Sequence, residues 1–306
     1  MLQAIFTPEF VSTILRATTP ILFATLAASV AAKSGITNMA LEGIMLFSAL
    51  FGVMFSSITQ SAWLGLLITV VIGGLMGLIL AFCVLNLKTD EILAAVAINL
   101  MATGGTVLLL VAFSGDRGVS SSVDSVSCPA VVIPFLESIP FIGKVLSGQN
   151  VLTWLSIIAV VIMHLFMYKT PLGLAIRAVG ENKDAAESVG ISSKKIQYIA
   201  LVLSGALCAF GGFYLSGGYM NMFTKDMSSG RGFIALAAAS MGGNTPVGGF
   251  LVSLLFGAAQ ALANIMQLKG TMPYEIVLMV PYLTTLIGLG VYYYSQKKKK
   301  ERLSGK

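Results

Sequence analysis

Long apolar runs, broken by short polar stretches, set the pattern of this chain. They extend from about Phe10 to Ala32, from Ile44 to Ile58, from Trp63 to Leu85, from Ile92 to Phe113, from Val151 to Tyr168, from Ile196 to Ser216, from Val247 to Leu268 and from Tyr274 to Tyr294. Most approach the roughly 20 residues that a helix needs to cross a hydrocarbon core about 30 Å thick. A membrane β-barrel would show short alternating segments instead. The pattern therefore predicts an all-α polytopic transmembrane bundle, one domain over residues 1–306, with about eight to ten crossings.

Two stretches interrupt this pattern. Gly35–Gly43 carries Asn38 and Glu42, four apart and hence on one helix face. Gly217–Gly243 is rich in glycine, and its apolar core, Phe233–Met241, is too short to cross alone. For the last two runs to fit, this stretch must still carry the chain across, as a discontinuous crossing. Irregular backbone at that depth is tolerated only against protein or a water-filled cavity. Paired interruptions in two halves of a chain mark the substrate region of many transporters. Asn38, Glu42, Asn99 and Phe233 are accordingly candidates for a substrate path. A carboxylate at Glu42 either caps a broken helix or ties two helices together, or it forms a polar wall of that path. Asn99 either bonds a neighbouring helix or lines the path.

Small residues predict close helix contacts at Gly73, Gly74 and Gly77, and again at Gly249, Ser253, Gly257 and Ala261, spaced by four. Arg16 is expected to snorkel outward from the first run. His164, the only histidine, is read as a helix-packing residue. The serine-rich connection over residues 114–150 contains Pro129, Pro134 and Pro140. Its apolar tail, Ile133–Leu146, is expected to fold back on the membrane surface as a landing zone for an external partner.

Only 10% of residues are charged and 56% are hydrophobic, against about 25% charged in ordinary globular chains. Mean hydropathy is +0.89. The net charge of +6 points to no nucleic acid, because its largest piece is the Lys297–Lys300 tail behind an apolar run. By the positive-inside rule that tail is cytoplasmic, as are Lys33, Lys88, Lys169 and Lys183. A separate role for the same tail at lipid headgroups is the lesser expectation. The layout puts about nine crossings between an outer N-terminus and an inner C-terminus. No basic leader precedes the first run, so a spanning helix is expected there rather than a cleaved signal. Cys83, Cys128 and Cys208 are odd in number and far apart, which suggests neither a disulfide framework nor a metal site.

One block differs from everything around it. Arg177–Ile191, RAVGENKDAAESVGI, is polar, helix-prone and flanked by apolar runs. It is expected to be one short amphipathic helix outside the hydrocarbon. No phosphate-binding loop of the G-x-x-x-x-G-K-[ST] type occurs, nor H-E-x-x-H, nor G-x-S-x-G. Chemistry on nucleotides or on substrate bonds is not expected of this chain.

Five ordered blocks resemble the permease subunits of bacterial ABC importers, in the branch of ribose-type sugar and nucleoside permeases. They are GITNMALEGIML at Gly35–Leu46, DEILAAVAINL at Asp90–Leu100, SIPFIGKVL at Ser138–Leu146, PLGLAIRAVGENKDAAESVGI at Pro171–Ile191 and GRGFIALAAASMGGNTPVGG at Gly230–Gly249. Asn38–Gly43 departs from the Asp-Leu-Ser-Val-Gly run of the sugar permeases and favours the nucleoside branch. The resemblance implies one permease domain over 1–306, working by alternating access. It implies a coupling helix at about 171–191 that docks in a cytoplasmic ABC ATPase through Arg177, Gly180, Glu181, Asp184, Ala185, Ala186, Gly190 and Ile191. It further implies a homologous second permease subunit and an extracytoplasmic substrate-binding protein or lipoprotein. No cofactor is expected in this chain; ATP and Mg belong to the ATPase. Simple-sugar or riboflavin import, or a self-sufficient channel or secondary carrier, are the competing expectations.

Overall fold

The computed structural model describes residues 7–131, 145, 147–268 and positions 283, 284, 286, 288, 290 and 294. Its helices are α1 (Pro8–Lys33), α2 (Leu41–Thr59), α3 (Ala62–Leu85), α4 (Glu91–Ser114), α5 (Val151–Lys169), α6 (Pro171–Glu181), α7 (Lys183–Ser188), α8 (Ser193–Phe213), α9 (Arg231–Met241) and α10 (Pro246–Leu268). A π-helical segment, Tyr214–Met220, prolongs α8, and a two-residue hairpin pairs β1 (Ala130–Val131) with β2 (Gln149–Asn150). Among the described residues, seven helices are long and apolar enough to span a membrane. The chain is an all-α, multi-pass membrane bundle. Most of the predicted Tyr274–Tyr294 crossing, the Lys297–Lys300 tail, Pro134, Pro140 and most of Ile133–Leu146 lie outside the described residues.

Helix α1 sits at the centre rather than at the edge. It packs on α8, α10, α9 and α5. Four of its buried hydroxyls survive burial through a bond within the helix. Thr18, Thr19, Thr25 and Ser29 donate to the carbonyls four residues before them, at 2.7–2.8 Å. Thr7 caps the start by accepting from Phe10 N, and Pro8 needs no partner at the first turn.

Both small-residue stripes are contact surfaces. On α3, a Cβ built on Gly77 would stand 2.3 Å from Leu201 O of α8, and one on Gly205 of α8 would stand 2.1 Å from Gly73 O. On α10, Gly257 lies against Thr18, Ser253 donates to Thr25 at 3.0 Å, and Ala261 is fully buried. Small side chains let the backbones approach, and dispersion replaces the missing hydrophobic drive inside lipid. The opposite faces of α3, α4 and α5 expose Leu67, Leu100, Leu108 and Val161, the surface expected to meet lipid tails. His164 shares that exposed side of α5 and rests its ring 4.8 Å from Tyr168 of the same helix. It therefore does not pack between helices as expected.

Gly217–Gly243 follows a broken course across the bundle. Its first part is tied to residues 118–120: Lys225 N donates to Gly118 O, Ser120 N to Phe223 O, and Phe223 N to Ser120 Oγ. The chain then dips to Gly230, where α9 starts beside Glu42. It ends at Gly242, against the first turn of α10. Three bonds along α8 fix the depth of Glu42. Gln197 donates to Ser34 O, Asn38 donates to Ser204, and Cys208 donates to Leu41 O. Gln197 and Cys208 are eleven residues apart, about 16 Å of helix rise. Residues 34–41 thus climb into the bundle before α2 begins, and α9 starts at that depth.

The predicted single helix at Arg177–Ile191 is in fact two. α6 starts earlier, at Pro171, with Thr170 as its cap, and stops at Asn182, which is extended (φ −154°, ψ 107°). The Asn182 side chain accepts from Ala185 N and so starts α7. An asparagine that caps the next helix breaks the one before it.

Candidate functional site

Several polar side chains hold the interruption at 34–43, among them Asn38 and Asn99. Asn38 is fully buried; its Nδ2 donates to Ser204 Oγ at 2.9 Å and its Oδ1 accepts from Ala40 N. Asn99 Oδ1 accepts from Gly43 N at 2.8 Å while its Nδ2 donates to Met39 O at 3.0 Å. One amide thereby serves both an orphan donor and an orphan acceptor where the helix has not begun. Glu42 does the same for α9: Oε1 accepts from Gly230 N and Oε2 from Gly232 N, each at 2.7 Å. A carboxylate on a helix N-terminus also meets the positive end of the helix dipole. Gly230 has φ +74°, where a side chain would be strained, and a Cβ on Gly232 would stand 2.5 Å from Glu42 N. Phe233, the next residue, is half-exposed. The four candidates from the sequence thus divide into three internal staples and one exposed ring.

A cavity of about 950 Å³ opens elsewhere in the bundle. Its walls are α1 (Thr13, Arg16, Pro20), the π segment (Tyr214, Tyr219, Met220), the dip before α9 (Thr224, Met227, Ser229), the start of α9 (Arg231, Ile234) and α10 (Gln260, Asn264, Gln267). Asn38, Glu42, Asn99 and Phe233 are not among its lining residues. Glu42 acts on it indirectly, because it fixes the helix that presents Arg231 and Ile234. Arg16 is exposed near the start of α1; its Nε donates to Gln149 Oε1 at 3.2 Å, and Gln149 donates in turn to Ser12 Oγ and Val145 O. Arg231 Nη1 donates to Met227 O and Ser228 O, both at 3.0 Å, which fastens the dip to α9. The Tyr214 hydroxyl accepts from Thr153, which also accepts from Thr19. Sequence periodicity does not separate these lining residues from helix packing. The usable signal was the spacing of Gln260, Asn264 and Gln267, three amides on one face of an apolar helix.

At the opposite end, α6 and α7 form an elbow between α5 and α8. Ile176, Val179 and Ala186 are buried. A Cβ on Gly180 would stand 2.1 Å from Lys33 O, so Gly180 abuts the end of α1. Arg177 lies 4.5 Å over the Tyr168 ring, a cation–π contact. Glu181, Asp184, Ala185 and Gly190 are exposed, and Ile191 is half-buried. Glu187 accepts from Ser193 Oγ and closes the elbow onto α8. Of the eight residues expected to meet a motor, Gly180 and Ala186 face this chain, and the acidic pair faces outward.

Known proteins resemble this chain along most of its length. It is 33% identical over 282 residues to the guanosine ABC transporter permease protein NupQ of Bacillus subtilis, covering 88% of this chain and 87% of that one. It is 32% identical over 286 residues to the nucleoside ABC transporter permease protein NupC of Lactococcus lactis, covering 90% and 89%. A solved structure, PsaBC from Streptococcus pneumoniae in complex with Fab, shares the fold with a TM-score of 0.51 at 14% identity, over 89% of each chain. Residues 10–289 match the family described as "Branched-chain amino acid transport system / permease component", and the chain belongs to that family.

Proposed function

We propose that this chain is one permease half of an ATP-driven importer for nucleosides. The observation that carries this reading is the cavity, taken with the relatives named for guanosine and nucleosides. A volume near 950 Å³ is in the range of small-molecule sites, about 300–1,000 Å³. Its lining offers what a nucleoside needs: amides for base edges and ribose hydroxyls, the exposed Tyr219 ring for stacking, and methionine for adaptable apolar contact.

As a permease, the chain passes substrate without making bonds to it. In this reading a homologous second permease completes the pore, and a binding protein delivers substrate at the end that bears residues 115–131. A cytoplasmic ABC ATPase holds ATP and Mg and grips the α6–α7 elbow through Glu181, Asp184 and Ala185. The C-terminus is then on the ATPase side, as the Lys297–Lys300 tail suggests. Nucleotide binding shifts the permease between two states for which the substrate has different affinities. Asn38, Asn99 and Glu42 keep the interrupted helices rigid, so that motion at the elbow reaches the cavity.

The test is uptake of radiolabelled guanosine into proteoliposomes that contain the full complex. Uptake that requires both ATP and the loaded binding protein is expected. Uptake by this chain without an ATPase would identify a channel or secondary carrier and overturn the reading. ATP-dependent uptake of a simple sugar with none of any nucleoside would overturn the substrate.

A further inference from the structure

Gln260 and Asn264 are one helical turn apart on α10, and both line the cavity. They flank the smooth Gly257–Ala261 stripe that packs on α1, so the helix cannot turn them toward lipid without losing that contact. Gln260 Nε2 donates to Asn264 Oδ1 at 3.3 Å. This bond uses one end of each amide. The Gln260 carbonyl oxygen and the Asn264 amide nitrogen have no bond to a described residue. That leaves the Gln260 carbonyl oxygen as an acceptor and the Asn264 amide nitrogen as a donor for a ligand in the cavity, besides the second N–H of Gln260 and the second lone pair of the Asn264 oxygen.

The two ends of an amide are nearly the same size. If both side chains turn over together, Asn264 donates to Gln260. The cavity then meets a donor at Gln260 and an acceptor at Asn264. The mutual bond survives, and only the polarity of the pair is reversed. No carboxylate or lysine can do this, because neither carries both a donor and an acceptor in its charged form.

We propose that Gln260 and Asn264 form a reversible amide pair that reads the hydrogen-bonding edge of a nucleobase in either polarity, and so lets one cavity pass both purine and pyrimidine nucleosides. The assignment deepens the nucleoside reading and depends on it. Adenine and cytosine each present an amino donor beside a ring acceptor. Guanine and uracil each present a ring donor beside a carbonyl acceptor. A pair with one donor and one acceptor matches both patterns once its polarity is free. A fixed pair matches one of them and leaves polar groups unbonded against the other, which is the strong form of discrimination.

The experiment removes the reversibility. Gln260→Glu makes the pair present two acceptors, because the carboxylate takes the Asn264 N–H and leaves both outward atoms as oxygens. Asn264→Asp reaches the same arrangement from the other side, and it serves if the first variant does not assemble. Two acceptors still suit guanine, whose ring N–H and amino group are adjacent donors; they do not suit adenine or cytosine. Uptake of guanosine, adenosine and cytidine is measured in proteoliposomes of the full complex, each rate divided by the wild-type rate for the same nucleoside. That ratio cancels the binding protein's own preference. The expected result is a change in selectivity: the adenosine and cytidine ratios each fall at least tenfold below the guanosine ratio. An equal change for all three, or no change, overturns the amide-pair assignment and leaves the nucleoside reading standing. Wild-type complex that takes up no nucleoside overturns both.

Discussion

Glu42 and Gly232 are 190 positions apart in the chain, yet Glu42 Oε2 accepts from Gly232 N at 2.7 Å and a Cβ on Gly232 would stand 2.5 Å from Glu42 N. The glycine is the only residue type that lets the carboxylate this close. The pair joins the two interruptions of the bundle and sets where α9 begins. Glu42→Ala leaves Gly230 N and Gly232 N without their acceptor, at a cost of about 1–3 kcal/mol for each such group. Glu42→Ala and Gly232→Ala are both expected to lower the melting temperature of the purified permease and to cut transport. Glu42→Gln, with one acceptor oxygen left, is expected to fall between them and wild type. Thermal unfolding of the three variants in one detergent checks this; wild-type stability of Glu42→Ala would exclude the cap.

Asn99 predicts a second loss of the same kind. Leucine at this position fills the space but serves neither Gly43 N nor Met39 O. Asn99→Leu is expected to destabilise by roughly 2–6 kcal/mol, counting both orphaned groups. Asn99→Asp keeps the acceptor and loses the donor, and so should cost less. Denaturation midpoints of the two variants rank the contributions.

The elbow offers a contrast between its inner and outer faces. Gly180→Leu would drive a side chain into Lys33 O, and reduced yield of folded permease is expected whatever its partners do. Asp184→Arg changes only an exposed charge. It should leave the folded yield unchanged and weaken co-purification of the ATPase. Normal assembly of the Asp184→Arg variant, with normal transport, would remove Asp184 from the docking surface.

Sidedness is tested by labelling intact cells with an impermeant maleimide. Ser121→Cys, in the exposed segment after α4, is expected to react from outside, and Asp184→Cys is expected to react only after the cells are opened. The opposite result would invert the topology.

Burial pushes the Cys128 thiol from its ordinary value of 9.0 up to about 11. The folded chain therefore holds its proton to higher pH than the unfolded chain does. Stability from this group is complete below pH 9.0 and is lost as pH rises to about 11. Cys128→Ser is expected to flatten the fall in melting temperature over that window. Iodoacetamide should modify Cys128 far more slowly at pH 8 in the folded protein than in detergent-unfolded chain, because the thiolate is the reactive form.

The all-α class and the seven long apolar helices of the described residues were legible in the sequence because apolar run length is a local property, and water penalises any other reading of it. The two small-residue stripes were legible for the same reason, since period four on a helix survives without knowing the partner. Gly35–Gly43 and Gly217–Gly243 stood out as interruptions. Only the fold decided that Glu42 joins them, because a bond across 190 residues leaves no periodic trace. The central place of α1 was also hidden: Thr18, Thr19, Thr25 and Ser29 look polar until their hydroxyls are seen bonded inside the helix. The spacing of Gln260, Asn264 and Gln267 marks a polar face on α10, but only packing decided that this face lines a cavity rather than bonding a neighbouring helix. Hydrophobic pattern fixes what must leave water; which polar groups then meet is settled by packing, where three dimensions bring together what the chain keeps apart.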